Sequence, residues 1–162
     1  FINHLSDNYN ISILSGDNNR KVQDFGKALG VSESLGNQTP EDKLSYIKNT
    51  QKNNIVAFVG DGINDSPALK QADVGIASAH STQIAQSAGD IVIHKGGISK
   101  IVEIIELAKK SQSRINQNLF LAFVYNTLMI PIAITGNISP NMAALAMAAS
   151  SISVVLNSSR NL

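Results

Sequence analysis

The chain has no cysteine and no tryptophan. Without cysteine there is no disulfide framework and no thiolate metal site. Histidine does not fill that gap, because His4, His80 and His94 are scattered, whereas histidine metal sites are built from clusters. An excess of charge of either sign is also lacking. A net charge of +1 gives neither the basic footprint of a nucleic-acid binder nor an acidic tail, so nucleic acid is not an expected partner. The sequence opens at Phe1 with no initiator Met and no signal-like region, and reads as a piece of something longer. Its 162 residues still suffice for one modest domain with its own core.

The most informative absence is local. Leu119 to Leu156 contains no charged residue, while nearly all the charge falls in residues 1–116. A mean hydropathy of +0.03 hides this asymmetry. Leu119 to Thr135 is long enough, at about 25 Å as helix, to cross a bilayer core. Gly136-Asn137-Ile138-Ser139-Pro140 makes a tight loop, and Asn141 to Leu156 is a second apolar, small-residue-rich stretch. Such a pair could be a buried hairpin in a soluble core. Basic residues at both outer ends (Lys109, Lys110, Arg114; Arg160) and none in the loop fit a membrane hairpin better, with both termini in the cytosol.

What is present in the first hundred residues alternates. A β-branched run at Asn10 to Leu14 leads to the turn Ser15-Gly16-Asp17-Asn18. Asn19 to Leu29 has helical spacing and stops at Gly30. Thr39-Pro40-Glu41-Asp42 reads as an N-cap with proline at the first helical turn, opening a helix to about Lys52. Lys43 lies in that first turn, where it either pairs with a neighbouring acid or reaches for a phosphate. A buried strand is expected from Ile55 to Val59, then a helix from Ser66 to Gln71, a strand at Val74 to Ala77, a helix at Thr82 to Ser87 and a strand at Asp90 to His94. Strands alternating with helices predict a parallel, doubly wound sheet, in which ligands bind beyond the carboxyl ends of the strands. From Ile98 the period turns helical and runs without a breaker into the apolar sequence, until Pro131 interrupts it.

Two groups of residues carry chemistry. After the Ile55 to Val59 run comes Gly60-Asp61-Gly62-Ile63-Asn64-Asp65-Ser66-Pro67-Ala68-Leu69. Gly, Asn, Asp and Pro are turn formers anyway. Two carboxylates and a carboxamide within five residues also offer the hard oxygen ligands that suit Mg²⁺, which is held by one or two carboxylates plus a phosphate. Asp17, Asp61 and Asp65 all fall at expected strand ends and so point to one pocket. In the apolar half, Tyr125 and Asn126 sit mid-segment in the first span, and Met147, Ser150 and Ser151 in the second. Ser, Ala and Met are ordinary packing residues in membrane helices. Polar groups at membrane depth also tend to line a pathway, and a thioether beside oxygen donors suggests Cu⁺.

The ten residues Gly60 to Leu69 closely resemble the hinge motif of P-type ATPases, whose phosphorylation domain has the haloacid-dehalogenase fold. Ser15-Gly16-Asp17 resembles that family's Thr-Gly-Asp motif with Ser in place of Thr, and Pro40-Glu41-Asp42-Lys43 its phosphoryl-contacting lysine segment. Asn118, six residues, Tyr125-Asn126, four residues and Pro131 is similar to the spacing of the copper(I) members. Pro140, six residues, Met147, two residues, Ser150-Ser151, five residues and Asn157 is similar to their last span. Zinc and cadmium members would carry a lysine and an aspartate in these spans; neither is present.

The resemblance implies an α/β fold: a partial haloacid-dehalogenase-like parallel-sheet domain (1–97), a long stalk helix (98–117) and a two-helix transmembrane hairpin (118–162). It implies that Asp61 holds Mg²⁺ with Asn64 and Asp65 in support, that Lys43 neutralises charge on the transferred phosphoryl group, and that Ser15 and Asp17 position it. Tyr125, Asn126, Met147 and Ser151 would belong to a copper path through membrane lipid. The Asp-Lys-Thr-Gly-Thr segment with the phosphorylated aspartate, the nucleotide-binding domain, the Thr-Gly-Glu actuator loop and a membrane Cys-Pro-Cys are not in the sequence. The expectation is therefore the carboxyl-terminal part of an ATP-driven copper(I) pump, inactive without its missing amino-terminal part. The alternatives are a soluble haloacid-dehalogenase-type phosphatase, for which Asp7 lacks the needed strand setting, and a non-enzymatic membrane fragment that binds a full-length pump.

Overall fold

The computed structural model describes all residues except 1, 62, 79–82, 137, 138, 161 and 162. Gly62, His80, Thr82 and the Asn137-Ile138 step of the expected loop therefore lie outside the described residues, as does the His4 side chain. The chain forms two compact units, Phe1–Val102 and Glu103–Leu162.

In the first unit a short helix α1 (Ile2–Ser6) precedes β1 (Ser12–Leu14), α2 (Asn19–Leu29), β2 (Glu33–Leu35) and α3 (Pro40–Thr50). Then come β3 (Ala57–Gly60), a single 3-10 turn (Ile63–Asp65), α4 (Ser66–Gln71), β4 (Val74–Ser78), α5 (Gln83–Ala88) and β5 (Ile91–Ile93). Local chemistry sets the helix ends. Asn18 caps α2 by accepting from the Arg20 N–H at 3.0 Å, and Gly30 closes it in the left-handed conformation that glycine adopts without steric cost. Thr39 and Asp42 form a reciprocal capping box at the start of α3, with Pro40 at the first helical position.

Every strand pair is parallel, as the alternation predicts, but the strands divide into a β1–β2 pair and a three-stranded sheet in the order β3-β4-β5. Two expectations need correction here. β2 was not foreseen, because Glu33-Ser34-Leu35 has no β-branched residue; it forms because it pairs in register with Ser12–Leu14. The Ile55 to Val59 strand is not buried. β3 starts two residues later at the edge of its sheet, and Ile55 is 87% exposed.

The core is small and gathers around β3 and β4. Ile47 of α3 meets Ala68 of α4 and Ala72 just past its end, with Val56 and Phe58 against them, and Leu69 meets Ala77 with Ala88 and Val92 alongside. Phe58 belongs to both groups and joins them. Carboxylates lock the strand entrances: Asp73 accepts from the Val56 N–H at 2.8 Å, and Asp90 from the Gly75 N–H at 2.8 Å.

α6 (Lys100–Ile134) runs 35 residues without a break, and α7 (Pro140–Ser159) follows with Ser139 as its N-cap and Pro140 at its first position. Pro131 does not interrupt α6, contrary to expectation. It lies within the last turn, where the absent N–H costs one bond and the helix closes at Gly136 through the Thr135 and Gly136 amides. Both helices are long and apolar enough to cross a membrane. Phe120, Phe123, Leu128, Ile134 and Leu145 are exposed, so the two helices do not form a buried hairpin core. A contiguous apolar surface of this kind marks a membrane or partner contact.

Candidate active site

α3 organises the site. Its capping box fixes the first turn: Asp42 Oδ2 accepts from the Thr39 N–H (3.0 Å) and hydroxyl (2.7 Å), while the Asp42 N–H donates to Thr39 Oγ1 (3.1 Å). These bonds, the Thr39 hydroxyl foremost, hold the Asp42 carboxyl below the usual aspartate range. Lys43, the next residue, donates from Nζ to Asp65 Oδ1 at 2.7 Å, across 22 residues of sequence. The acid that Lys43 meets is thus distant in sequence, not one of its helix neighbours.

Asp65 is the buried charged residue of the described chain, 9% exposed. It occupies the N-cap position of α4, yet makes no side-chain capping bond there. Its carboxylate is turned to Lys43 instead, so a stabilising cap is given up for a charge pair. Gly60 makes room for this, because a Cβ on it would stand 2.8 Å from Asp65 Cβ and 3.1 Å from Oδ2. Beside Asp65, Ser66 Oγ is buried without a hydrogen-bond partner. A buried orphan of that kind costs about 1–3 kcal/mol in a folded protein unless a ligand satisfies it.

Farther along α3, Tyr46 donates its hydroxyl to the Glu33 carboxylate of β2 and lies 2.9 Å from Ser12 Oγ of β1, and Ser12 Oγ donates to the same carboxylate at 2.9 Å. Partial burial, then the neighbouring Glu33, pushes the Tyr46 phenol above its ordinary range. One helix thus ties the β1–β2 pair through Tyr46 to the β3 turn through Lys43.

The Ser15-Gly16-Asp17 turn follows β1 and is held by the segment after β2. Ser15 N–H donates to Leu35 O (2.9 Å), Gln38 N–H to Ser15 O (2.9 Å) and Asn37 N–H to Asp17 O (2.6 Å). Ser15 Oγ accepts from the Asp17 N–H at 3.2 Å, and the Asp17 carboxylate is exposed. Asp61 and Asn64 are exposed as well. Lys43 and Asp65 are therefore brought together directly, whereas Asp17, Asp61 and Asp65 form no cluster of three metal-binding side chains among the described residues. Mg²⁺ does not need one, since one or two carboxylates with water and a phosphate complete its shell. Asp61 and Asp65 offer hard carboxylate oxygens of the kind such an ion takes, and Ser66, next in sequence, has a buried hydroxyl without a partner among the described residues. A lysine 2.7 Å from one of those carboxylates fixes a cation beside it.

In the second unit Tyr125 is half-buried, and Asn126, Met147 and Ser151 are exposed, Met147 at 75%. Ser151 donates its hydroxyl to the Met147 carbonyl of its own helix (3.1 Å). These four are not joined to one another across the helices by hydrogen bonds among the described residues. What does cross is a chain not foreseen as a unit: Arg114 Nη1 donates to Asn157 Oδ1 (3.2 Å), Asn157 Nδ2 to Asn118 Oδ1 (2.8 Å), and Asn118 Nδ2 to Ser158 Oγ (2.7 Å). Asn118 and Asn157 stood out in the sequence by spacing; Arg114 and Ser158 did not.

A family model described as haloacid dehalogenase-like hydrolase matches residues 1–73. Over 151 residues the chain is 42% identical to the probable copper-exporting P-type ATPase V of Mycobacterium tuberculosis, covering 93% of this chain and 20% of that protein. The chain belongs to the P-type ATPases. It is also 43% identical to the probable copper-importing P-type ATPase A of Enterococcus hirae, over 91% of this chain and 21% of the relative. Among solved structures, a zinc-transporting PIB-type ATPase in its E2·Pi state superposes with a TM-score of 0.85 at 31% identity, over 90% of this chain and 24% of that one. The match to that P-type ATPase takes in both units, so the α/β domain and the two long helices have a common counterpart. The chain spans about a fifth of the length of the curated relatives it matches.

Proposed function

We propose that these residues form the phosphoryl-handling half-domain and two membrane helices of an ATP-driven copper(I) pump. The observation that carries this reading is the Lys43–Asp65 pair beyond the carboxyl end of β3, a charge arrangement with a buried acid held off its own helix cap. In phosphoryl transfer the protein contributes mostly positioning and electrostatic stabilisation. On this reading Lys43 balances charge on the transferred group, Asp61 and Asp65 with Asn64 hold Mg²⁺, and Ser15 and Asp17 orient the phosphoryl oxygens. Residues 1–97 handle phosphate, 98–117 form the stalk, and 118–162 cross the membrane with both ends in the cytosol.

ATP and the nucleophilic aspartate come from an amino-terminal part of the same pump. The split sheet supports this: β1 and β3 each carry a candidate site turn at the carboxyl end, and each pairs on one side. A strand from the rest of the pump, set between them, would bring an aspartate to both turns.

Copper(I) as cargo is supported by the 42–43% identity to proteins named for copper transport, and by a thioether with oxygen donors in spans free of lysine and aspartate. Tyr125, Asn126, Met147 and Ser151 line its path. The names of those relatives include both export and import, so direction is tested rather than carried over. In vesicles containing the pump that bears this chain, ATP-driven ⁶⁴Cu⁺ movement is expected, with Met147→Ala lowering the rate at least tenfold. Copper movement unchanged in Met147→Ala, or movement of Zn²⁺ in place of Cu⁺, would overturn the cargo assignment.

A further inference from the structure

α7 is poor in features that could set its position along α6. From Met142 to Val155 it is mostly Ala, Ser and Val, small residues that let membrane helices approach closely without a charged or amide group to fix one offset. Three of its serines spend their hydroxyls within the helix: Ser151 on Met147 O, Ser153 on Ser150 O and Ser159 on Val155 O. Three hydrogen bonds described for this pair cross from α6 to α7, and they join Arg114, Asn118, Asn157 and Ser158.

We propose that this four-residue chain is a clasp that sets the register of α7 against α6. Its polarity runs one way. The Arg114 guanidinium donates to the Asn157 carboxamide oxygen, the Asn157 amide to the Asn118 oxygen, and the Asn118 amide to the Ser158 hydroxyl. Each carboxamide uses one acceptor and one donor. Arg114 and Asn118 stand four residues apart, on one face of α6. A slide of one turn, about 5 Å, breaks all three links at once. A single polar position fixes register in other apolar helix pairs for the same reason.

The consequence for function rests on the copper reading above. Tyr125 lies seven residues beyond Asn118, and Ser150 seven residues before Asn157. In the clasped register both therefore stand about 10 Å along their helices from the clasp. Tyr125-Asn126 and Ser150-Ser151 share one depth, with Met147 about a turn beyond. The clasp positions these residues without touching the ion.

The test uses the 162-residue chain itself, whose lack of cysteine leaves no labelling background. Spin labels at Phe120→Cys and Leu145→Cys, both exposed positions, report the helix offset in lipid vesicles by pulsed EPR. Asn118→Leu has the shape but no hydrogen bonds, and leucine packs well in a membrane; Asn118→Asp keeps the acceptor for Asn157 and can accept from the Ser158 hydroxyl. The distance distribution is expected to shift or broaden by about 5 Å in Asn118→Leu, one helical turn, and to hold in Asn118→Asp. Ser158→Ala, which leaves insertion intact, is expected to broaden it in the same sense. A distribution unmoved by Asn118→Leu and Ser158→Ala, or moved as much by Asp as by Leu, overturns the clasp. Cu⁺ competition against a chelator, on the same vesicles with Met147→Ala, separates the two readings. Unchanged Cu⁺ affinity there, with the register still responding to Asn118→Leu, removes the copper path and leaves the clasp.

Discussion

Lys43 Nζ and Asp65 Oδ1 stand 2.7 Å apart, with the two side chains 13% and 12% exposed. A pair so far out of water is costly to break from one side, because the remaining charge is left buried and uncompensated. Lys43→Met should therefore destabilise the fold by about 3 kcal/mol, the low end for buried pairs, since some solvent still reaches it. Lys43→Met with Asp65→Leu should recover most of that loss while leaving phosphoryl transfer abolished. Thermal unfolding of the two variants in detergent checks the first half, and ATPase assay of the pump the second.

Gly60 and Gly75 should respond differently to alanine. At Gly60 the new methyl meets the Asp65 side chain, at 2.8 Å, so Asp65 must move off Lys43. We expect Gly60→Ala to weaken the Mg²⁺ dependence of activity and also to lower the melting temperature, because Asp65 Cβ is set by the backbone and the buried charge pair is disturbed. At Gly75 the methyl meets the Leu69 carbonyl at 2.4 Å, which is backbone and cannot turn away. Gly75→Ala should lower the melting temperature much more. Mg²⁺ titrations and melting curves of both variants decide it.

The caps and the tyrosine make opposite pH predictions. Asp42 has its carboxyl lowered by Thr39, so its contribution is present above the ordinary aspartate value of about 4 and fades as pH falls through the lower folded value. Tyr46 has its phenol raised by burial and by Glu33. Its contribution is present below the ordinary tyrosine value of about 10 and is lost as pH rises through the raised one. Asp42→Asn should reduce the acid-side dependence, Asp73 keeping its share because the Val56 N–H also lowers its carboxyl, and Tyr46→Phe should remove the late tyrosinate absorbance step. A wild-type tyrosinate titration with no late step would contradict the Tyr46 assignment.

Much of this was legible before the structure. Gly30 and Thr39-Pro40 announced helix ends because capping is local chemistry, and the uncharged Leu119 to Leu156 announced the two long helices because a bilayer demands length and apolarity. β2 was hidden because pairing with β1, not the propensity of Glu33-Ser34-Leu35, makes it a strand. Ile55 looked like core, yet strand composition cannot tell an edge from a centre. Lys43 and Asp65 were both named, but a contact across 22 residues is a tertiary fact. Arg114 read as one more basic residue at a helix end, and its bond to Asn157 appears only once α7 returns beside α6.

The exposed apolar rings of α6 predict where the helix meets lipid. Phe123→Lys, at an exposed apolar position of α6, should reduce membrane insertion, whereas Gln112→Lys, in the polar part of the helix, should not. Carbonate extraction of membranes expressing each variant gives the answer, and equal retention of both would place α6 outside the bilayer.

The most direct measurement is phosphorylation by γ-labelled ATP of the pump that contains these residues, with and without Cu⁺, beside the isolated 162-residue chain. An acid-stable, Cu⁺-stimulated label on the pump, lost in Asp61→Asn and absent from the isolated chain, is the predicted result. Label on the isolated chain, or label on the pump indifferent to Cu⁺ and to Asp61→Asn, would contradict it.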